Sequence, residues 1–298
     1  MSKVYLSKIA THLPDDYKKT SDYYFNKVGI EKVPYTKENP YFLMHKAVEK
    51  LDIKDVNDID YCIVCTENFE TPIPPLSFKI HRDFNFKENC GCLDINHGCS
   101  GFLYSLEIGK SLIQANKDIH NILIVCGDAY SKISRDEATS NIFGDGASAI
   151  LITDNEKKGI AEILEFSKIS VYSDAIKQDK YKPLKMNGHE VIDLAMLYVP
   201  RNFSECLSKN KMSSFDINLV IPHQSNPCII KALEKVCMGK SIQDCFFISD
   251  MKDTGNLVQT SIPYVLEKYI DIMNKNVKVM LIGYGVGFSV ISTILKWR

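Results

Sequence analysis

The chain has 298 residues, of which 45% are hydrophobic and 24% are charged, and its formal net charge is -1. This length is sufficient for a large core, built as one big domain or as two fused halves. The small net charge provides no general attraction to nucleic acid or to an anionic membrane. We therefore expect a globular protein without a nucleic-acid partner.

The first residues do not have the pattern of a signal peptide, because Lys8 interrupts the apolar region and no small-residue cleavage site follows. The longest uncharged stretch, 279–295, contains three glycines. It is also shorter than the roughly 20 residues that an untilted membrane span needs. We expect two strands and a turn in this stretch, no membrane insertion, and a cytoplasmic location.

The ten cysteines are expected to be reduced in that compartment. Cys62 and Cys65 form a C-x-x-C pattern inside an apolar, strand-like run. Cys90 and Cys92 follow, so a zinc site is the alternative to core packing. The turn residues and the second ligand pair of a zinc site are missing, which favours core packing.

Short apolar runs alternate with segments of helical pattern along the whole chain. The predicted elements are, in chain order, a strand at 61–65, a helix at 76–84, a strand at 92–95, a helix at 100–115, strands at 122–126 and 149–152, a strand at 219–221, a helix at 227–236, a strand at 246–248, a helix at 259–269, and strands at 277–282 and 289–295. This alternation predicts an α/β architecture with mostly parallel strands that are covered by helices on both faces.

Three pairs of segments recur in the same order, 157 or 158 residues apart. The pairs are 58–68 with 216–226, 98–101 with 255–258, and 122–128 with 279–285. A repeat of this kind indicates duplicated structural units. We predict two related halves, at residues 1–155 and 156–298.

Three polar residues follow predicted strands, at the sheet edge where ligands bind in such architectures. Cys99 precedes the helix at 100–115, Asn256 has the matching position in the second half, and His223 follows the strand at 219–221. If a twofold axis relates the halves, Cys99 and Asn256 face each other with His223 nearby. The sequence thus predicts a catalytic group of Cys99, His223 and Asn256.

Cys99 has the surroundings of a nucleophile. A helix N-terminus lowers the pKa of a thiol, and the glycines at 98 and 101 allow a substrate to approach closely. Taken singly, each residue has a structural interpretation: a small buried cysteine at a tight junction, an ordinary histidine, and an asparagine in a turn. The hypothesis depends on the three occurring together.

The segments that hold these residues resemble β-ketoacyl-acyl carrier protein synthase III, a member of the thiolase superfamily. The region of Cys99 is similar to the A-C-x-G-F element, 223–226 reads H-Q-S-N for H-Q-x-N, and 255–263 reads G-N-L-V-Q-T-S-I-P for G-N-x-x-x-x-S-I-P. Segments 143–149, 186–191 and 283–288 also resemble family elements. The resemblance implies a thiolase-like fold, in which two related α/β halves form a five-layer αβαβα arrangement.

The resemblance also implies a mechanism. Cys99 takes an acyl group from a thioester, and a malonyl thioester then loses carbon dioxide. His223 and Asn256 donate hydrogen bonds to the enolate that forms, while the backbone N–H groups of Cys99 and Val286 bind the oxyanion of the acyl group. No metal and no cofactor are expected, because the thioesters of coenzyme A or acyl carrier protein are substrates.

Further expectations follow from the resemblance. Asn226, Gly285 and Gly287 are candidate substrate-binding residues, and Ile73 is expected to line the pocket of a neighbouring subunit in a homodimer. Cys228 occupies a position where the family often has an arginine that holds coenzyme A phosphates or the carrier protein. Arginine suits phosphate through its two-pronged geometry, so its loss favours acyl carrier protein over coenzyme A as the donor.

Two other functions remain open at this stage. One is an acyltransferase that moves the acyl group from Cys99 to an alcohol or amine without decarboxylation. The other is a non-catalytic subunit that shapes the pocket of another synthase. Asn256 argues against plain acyl transfer, because condensation needs an enolate-stabilising Asn–His pair. A non-catalytic subunit would not need to keep Cys99, His223 and Asn256 together. Asp145, in the segment F-G-D-G, is interpreted as a structural turn residue.

Overall fold

The computed structural model describes residues 2–69, 73–133, 137–179, 184–238 and 246–298, without the side chains of 137 and 138. Within these ranges the strands are β1 (Tyr5–His12), β2 (Tyr17–Lys19), β3 (Lys32–Pro34), β4 (Tyr61–Cys65), β5 (Gly91–Ile95), β6 (Asn121–Asp128), β7 (Gly146–Thr153), β8 (Ala161–Ile163), β9 (Ser167–Ser170), β10 (Ile176–Lys177), β11 (Lys185–Met186), β12 (Leu219–Pro222), β13 (Phe246–Phe247), β14 (Lys278–Gly285) and β15 (Ser289–Trp297). The helices are α1 (Asp22–Val28), α2 (Pro40–Leu51), α3 (Leu76–Asp83), α4 (Gly101–Ala115), α5 (Glu137–Ser140), α6 (Gly188–Lys209), α7 (Pro227–Met238) and α8 (Ser261–Tyr269).

The strand order repeats between the two halves of the sheet. In the first half β4 is parallel to β5 and β6, β6 is antiparallel to β7, and β7 is antiparallel to β1. In the second half β12 is parallel to β13 and β14, β14 is antiparallel to β15, and β15 is antiparallel to β8. The halves meet where β1 pairs with β8. The predicted boundary at residue 155 falls in the connection between β7 and β8.

The helices form three layers around these strands. Helices α4 and α8 contact strands of both halves and lie between them. The core there joins Phe102 of α4 and Val265 of α8 to Ile63 of β4 and Leu281 of β14. Helices α2 and α3 cover the other face of the first half, and α6 and α7 cover the other face of the second. The predicted five-layer αβαβα fold is confirmed. The expectation of mostly parallel strands is wrong, because β1, β7, β8 and β15 pair with their neighbours in antiparallel register.

Strand β4 shows why its C-x-x-C pattern is a packing feature. Side chains alternate between the faces of a strand, so residues three apart point in opposite directions. Cys62 accordingly packs beneath α2 and α3, while Cys65 packs in the central core. Both thiols are free and fully buried, and the core-packing interpretation is confirmed.

The long uncharged stretch near the C-terminus forms most of β14 and β15, which pair with each other in antiparallel register. This outcome confirms the prediction of two strands and a turn. Among the residues that the structure describes, no helix combines the length and the apolar character needed to cross a membrane.

Candidate active site

Cys99 lies between the end of β5 and the start of α4, in a tight turn where the N–H of Gly101 donates to the carbonyl of Gly98 at 2.6 Å. Its side chain is 7% exposed. Gly285, at the end of β14, lies against it: a Cβ at that position would approach the Cys99 Sγ to 2.9 Å, and φ is +151°. A residue with a side chain at 285 would therefore displace the cysteine.

The pKa of the Cys99 thiol is raised from its ordinary value, first by burial and then by the nearby carboxyl of Glu67. Hydrogen bonds from the backbone N–H groups of Val286 and of Cys99 itself act in the opposite direction. The expectation that the helix N-terminus leaves this pKa below its ordinary value is therefore wrong. Removal from water penalises the thiolate more than the nearby N–H groups stabilise it.

His223 follows β12, and its backbone N–H donates to the carbonyl of Ile282 in β14 at 2.7 Å. The side chain is 1% exposed, and its ring packs edge-on against Tyr284 with 5.5 Å between the ring centres. Nδ1 has no hydrogen-bond partner among the described residues. Burial lowers the pKa of this histidine to about 3, so the imidazole is neutral near pH 7.

Asn256 is fixed by its backbone and by its own amide. Its backbone N–H donates to the carbonyl of Ile142 at 2.8 Å, and its carbonyl accepts from Gly144 at 3.0 Å. The side-chain Oδ1 accepts the N–H of Val258 at 2.8 Å. This bond orients the side chain. Its Nδ2 amide, the only donor group of an asparagine side chain, can then donate to a ligand.

One cavity of about 310 Å³ joins the three predicted catalytic residues. Cys99, His223 and Asn256 all line it, together with two of the predicted substrate-binding residues, Asn226 and Gly285. Much of the remaining wall is apolar and includes Val28, Ile142, Phe143, Val191 and Ile229. A mostly apolar pocket with a few convergent polar groups is typical of a small-molecule site.

The other predicted site residues lie in different places. Val286 and Gly287 line a second cavity, of about 500 Å³. Ile73 is 84% exposed and lines neither cavity, so its contact with a neighbouring subunit stays a prediction. Cys228 is exposed in the first turn of α7.

Asp145 is buried in the turn before β7. Its carboxylate accepts the backbone N–H groups of Thr36 and Ser131, each at 2.8 Å. It therefore joins loops that surround the site, in agreement with the structural role expected for it.

Sequence reasoning missed Glu67, which follows β4 and lines the second cavity. Tyr130 Oη donates to its Oε2. The backbone N–H of Glu67 donates to the buried carboxyl of Asp128 at 2.9 Å. The side-chain amide of Gln259 donates to that same carboxyl at 2.7 Å. A signal existed in the sequence, because Glu67 and Asp128 are carboxyls at the ends of neighbouring buried strands, at the edge where Cys99 was expected.

Two family models match this chain. Residues 93–172 match 3-oxoacyl-[acyl-carrier-protein] synthase III, and residues 207–297 match the C-terminal part of the same family. Together the two matches cover more than half of the chain and contain Cys99, His223 and Asn256.

Curated relatives and solved structures agree with these matches. The chain is 29% identical over 269 residues to β-ketoacyl-[acyl-carrier-protein] synthase III of Clostridium beijerinckii, covering 84% of this chain and 81% of that protein. It is 27% identical over an alignment of 328 residues to synthase III 2 of Bacillus anthracis, covering 99% and 98%. The crystal structure of the Aquifex aeolicus synthase III superposes with a TM-score of 0.88 at 23% identity, covering 99% of this chain and 100% of that one. The Xanthomonas campestris OleA structure with bound lauric acid and lauroyl-CoA also gives a TM-score of 0.88, at 13% identity and 99% coverage of both chains.

Proposed function

Because this chain belongs to the 3-oxoacyl-[acyl-carrier-protein] synthase III family, we propose that it condenses an acyl group with a malonyl thioester and releases carbon dioxide. The product is a β-ketoacyl thioester with two more carbons than the acyl group. In the broad classification the enzyme is an acyltransferase. The observation that supports this proposal most directly is the meeting of Cys99, His223 and Asn256 in one cavity.

The first half-reaction moves the acyl group to Cys99. The sulfur attacks the thioester carbonyl, a new C–S bond forms, and the C–S bond to the carrier breaks. The carrier leaves as a thiol and takes up the proton that Cys99 loses. Backbone N–H groups of Cys99 and Val286, which already interact with the sulfur, would bind the carbonyl oxygen.

The second half-reaction makes the new carbon–carbon bond. The C–C bond to the malonyl carboxylate breaks, carbon dioxide leaves, and the electron pair moves onto the thioester as an enolate. Nδ2 of Asn256 and an N–H of neutral His223 donate to the enolate oxygen. The enolate carbon then attacks the acyl carbonyl, and Cys99 leaves as a thiolate that takes up one proton. Since one donor is an amide and the other a neutral imidazole, neither must titrate for this step.

We assign acyl carrier protein as the carrier of the malonyl group. The family description names this partner, and Cys228 stands where an arginine would help to bind coenzyme A phosphates. Coenzyme A thioesters are the alternative acyl donors. A homodimer is the proposed assembly.

The proposal is tested by following the two half-reactions separately. The wild type and Cys99→Ala are incubated with acyl-coenzyme A and acyl-carrier-protein donors, and intact-protein mass is measured. Carboxyl-labelled malonyl carrier protein is then added, and released carbon dioxide is counted. We expect a mass gain only where Cys99 is present, followed by carbon dioxide release.

His223→Ala separates the roles in this assay. Losing one such donor typically lowers the rate about 100- to 1000-fold, so carbon dioxide release should fall by that factor while acylation stays measurable. His120→Ala, a change at an exposed surface histidine, should leave both steps unchanged. Equal loss of both half-reactions in His223→Ala would contradict its assigned role. Acylation of the wild type without carbon dioxide release would replace condensation by plain acyl transfer, and no acylation by any donor would overturn the proposal.

A further inference from the structure

The second cavity, of about 500 Å³, lies beside Cys99. It is lined by Gly98, the residue before the nucleophile, and by Val286, whose backbone N–H interacts with the Cys99 sulfur. Ile176 lines both this cavity and the one that contains His223 and Asn256. The nucleophile is therefore adjacent to two spaces, and the condensation mechanism needs both an acyl group and a malonyl group next to it.

Glu67 places a carboxyl in this second cavity. Its Oε2 accepts from Tyr130, whereas no described residue donates to its Oε1. That Oε1 lies against the chain beside the nucleophile, because a Cβ at Gly98 would approach it to 2.7 Å. An acyl group on Cys99 that extends past Gly98 into this cavity would meet this oxygen.

The surroundings of Glu67 combine polar and apolar groups. Polar side chains that share the cavity are those of Asn96, His97, Lys177 and Gln178. Ile133, Ile176 and Leu184 supply the apolar part. An alkyl chain packed here would remove water from Oε1 without replacing the lost hydrogen bond, which costs affinity. A chain that carries its own polar group would avoid that cost.

Building on the proposed function, we propose that the second cavity holds the acyl group of acyl-Cys99 and that Glu67 selects acyl groups carrying a hydroxyl near the thioester. The hydroxyl would hydrogen-bond to Oε1, while Tyr130 holds Oε2. Glu67 is thus a specificity-determining residue rather than a participant in bond formation. The substrate class is a hydroxylated acyl thioester instead of a simple alkanoyl one.

The electrostatics of the site favour a hydroxyl over an ammonium group. Burial raises the pKa of Glu67, so this carboxyl is less readily ionised than an ordinary one. A hydroxyl can donate to the ionised form and accept from the protonated form. An ammonium group can only donate, and it needs the ionised form for charge pairing.

The test is a competition between donors that differ in one hydroxyl. Equimolar hexanoyl thioester and its 3-, 4- or 5-hydroxy derivative are offered to the wild type as carrier-protein and coenzyme A thioesters. The two acyl-enzymes are then quantified by intact-protein mass. Sites built to hydrogen-bond a substrate hydroxyl discriminate strongly against the analogue that lacks it. We therefore expect one hydroxylated donor to form about tenfold or more acyl-enzyme than hexanoyl does.

Variants identify the residue responsible. Glu67→Leu should reverse the preference, Glu67→Gln should retain part of it, and Tyr130→Phe should weaken it. Glu165→Gln removes a carboxylate from an exposed side chain and should leave the preference unchanged. A 3-aminohexanoyl donor serves as the cationic comparison and should load less well than the hydroxylated donor.

The outcomes separate this inference from the proposed function. If hexanoyl loads as well as every hydroxylated donor, or if Glu67→Leu keeps the wild-type preference, the inference is overturned while the acyl-enzyme mechanism stands. Preferential loading of the amino derivative would also overturn it, in favour of a cationic acyl group. If no donor loads Cys99, the proposed function itself fails. Should Glu67→Leu not fold, the wild-type competition and Tyr130→Phe still decide the question.

Discussion

His223 shows how burial sets the chemistry of a single residue. The ring lies against Tyr284 and is cut off from water, which lowers its pKa to about 3. A neutral imidazole can donate one hydrogen bond and accept another. The same residue can therefore donate to the enolate of the second half-reaction without a change in its own ionisation state.

This shift in pKa predicts a dependence of stability on pH. The folded value lies below the ordinary value of 6.5, so as the pH falls the unfolded chain takes up the proton first. The contribution of His223 is complete above about pH 6.5 and is lost as the pH falls toward 3. We expect the melting temperature to fall less between pH 7.5 and 4.5 in His223→Gln than in the wild type.

Thermal unfolding at the two pH values measures this difference. His189→Gln, at an exposed histidine near the start of α6, should show the wild-type fall in melting temperature. An unchanged pH dependence in His223→Gln would show that the buried ring is protonated more readily than its environment indicates.

At the scale of single elements, the start of α4 determines where the nucleophile stands. Gly101 is the first residue of this helix, and it lies against Cys65 of β4 and Gln259 of the turn before α8. A Cβ at Gly101 would approach the sulfur of Cys65 to 2.5 Å and Oε1 of Gln259 to 2.8 Å. The helix can begin at this place only because its first residue has no side chain.

Gly101→Ala should therefore destabilise the protein by about 1–3 kcal/mol, the usual cost of overpacking. It should also slow acylation of Cys99, because the helix start must move. Denaturant unfolding and intact-protein mass measure the two effects. Gly188→Ala, at the first residue of α6 where an added Cβ meets nothing within 4 Å, should change stability by less than about 1 kcal/mol. Equal effects of the two substitutions on stability would contradict the packing argument.

At the scale of the whole molecule, the two halves share their central core. Phe102 and Leu103 of α4 pack in the same cluster as Val265 of α8 and Leu281 of β14. Each half would expose this apolar surface if it stood alone. The repeat in sequence therefore marks two related halves that depend on each other for stability.

We expect the chain to unfold as one unit. Trp297, the single tryptophan, is buried in β15 where that strand pairs with Ala161 of β8. Its fluorescence reports the central core that both halves share, of which Trp297 is a member, while far-ultraviolet circular dichroism reports all helices and strands. The two denaturant midpoints should coincide at one protein concentration. Phe102→Ala should lower both midpoints together, because it should reduce the free energy of unfolding by about 3–5 kcal/mol. Separate midpoints would indicate halves that unfold independently.

The sequence by itself determined the local features of this protein. Short apolar runs predicted β4, β6, β12 and β14 because strands buried on both faces need uncharged residues throughout. Cys99, His223 and Asn256 were identifiable because each comes after a predicted strand, and strand ends in an α/β fold converge on one edge. The recurring segments predicted the repeated strand order.

Only the tertiary structure decided what depends on distant contacts. The helix N-terminus alone predicts a lowered pKa for Cys99, but burial and Glu67 raise it. The contact between Glu67 and the loop at Gly98 exists only once β4 and that loop are packed together. Burial and charge proximity are properties of the packed molecule, since they arise from residues far apart in the chain. For that reason the sequence indicates which residues react, and the fold decides in which ionisation state and beside which neighbours they do so.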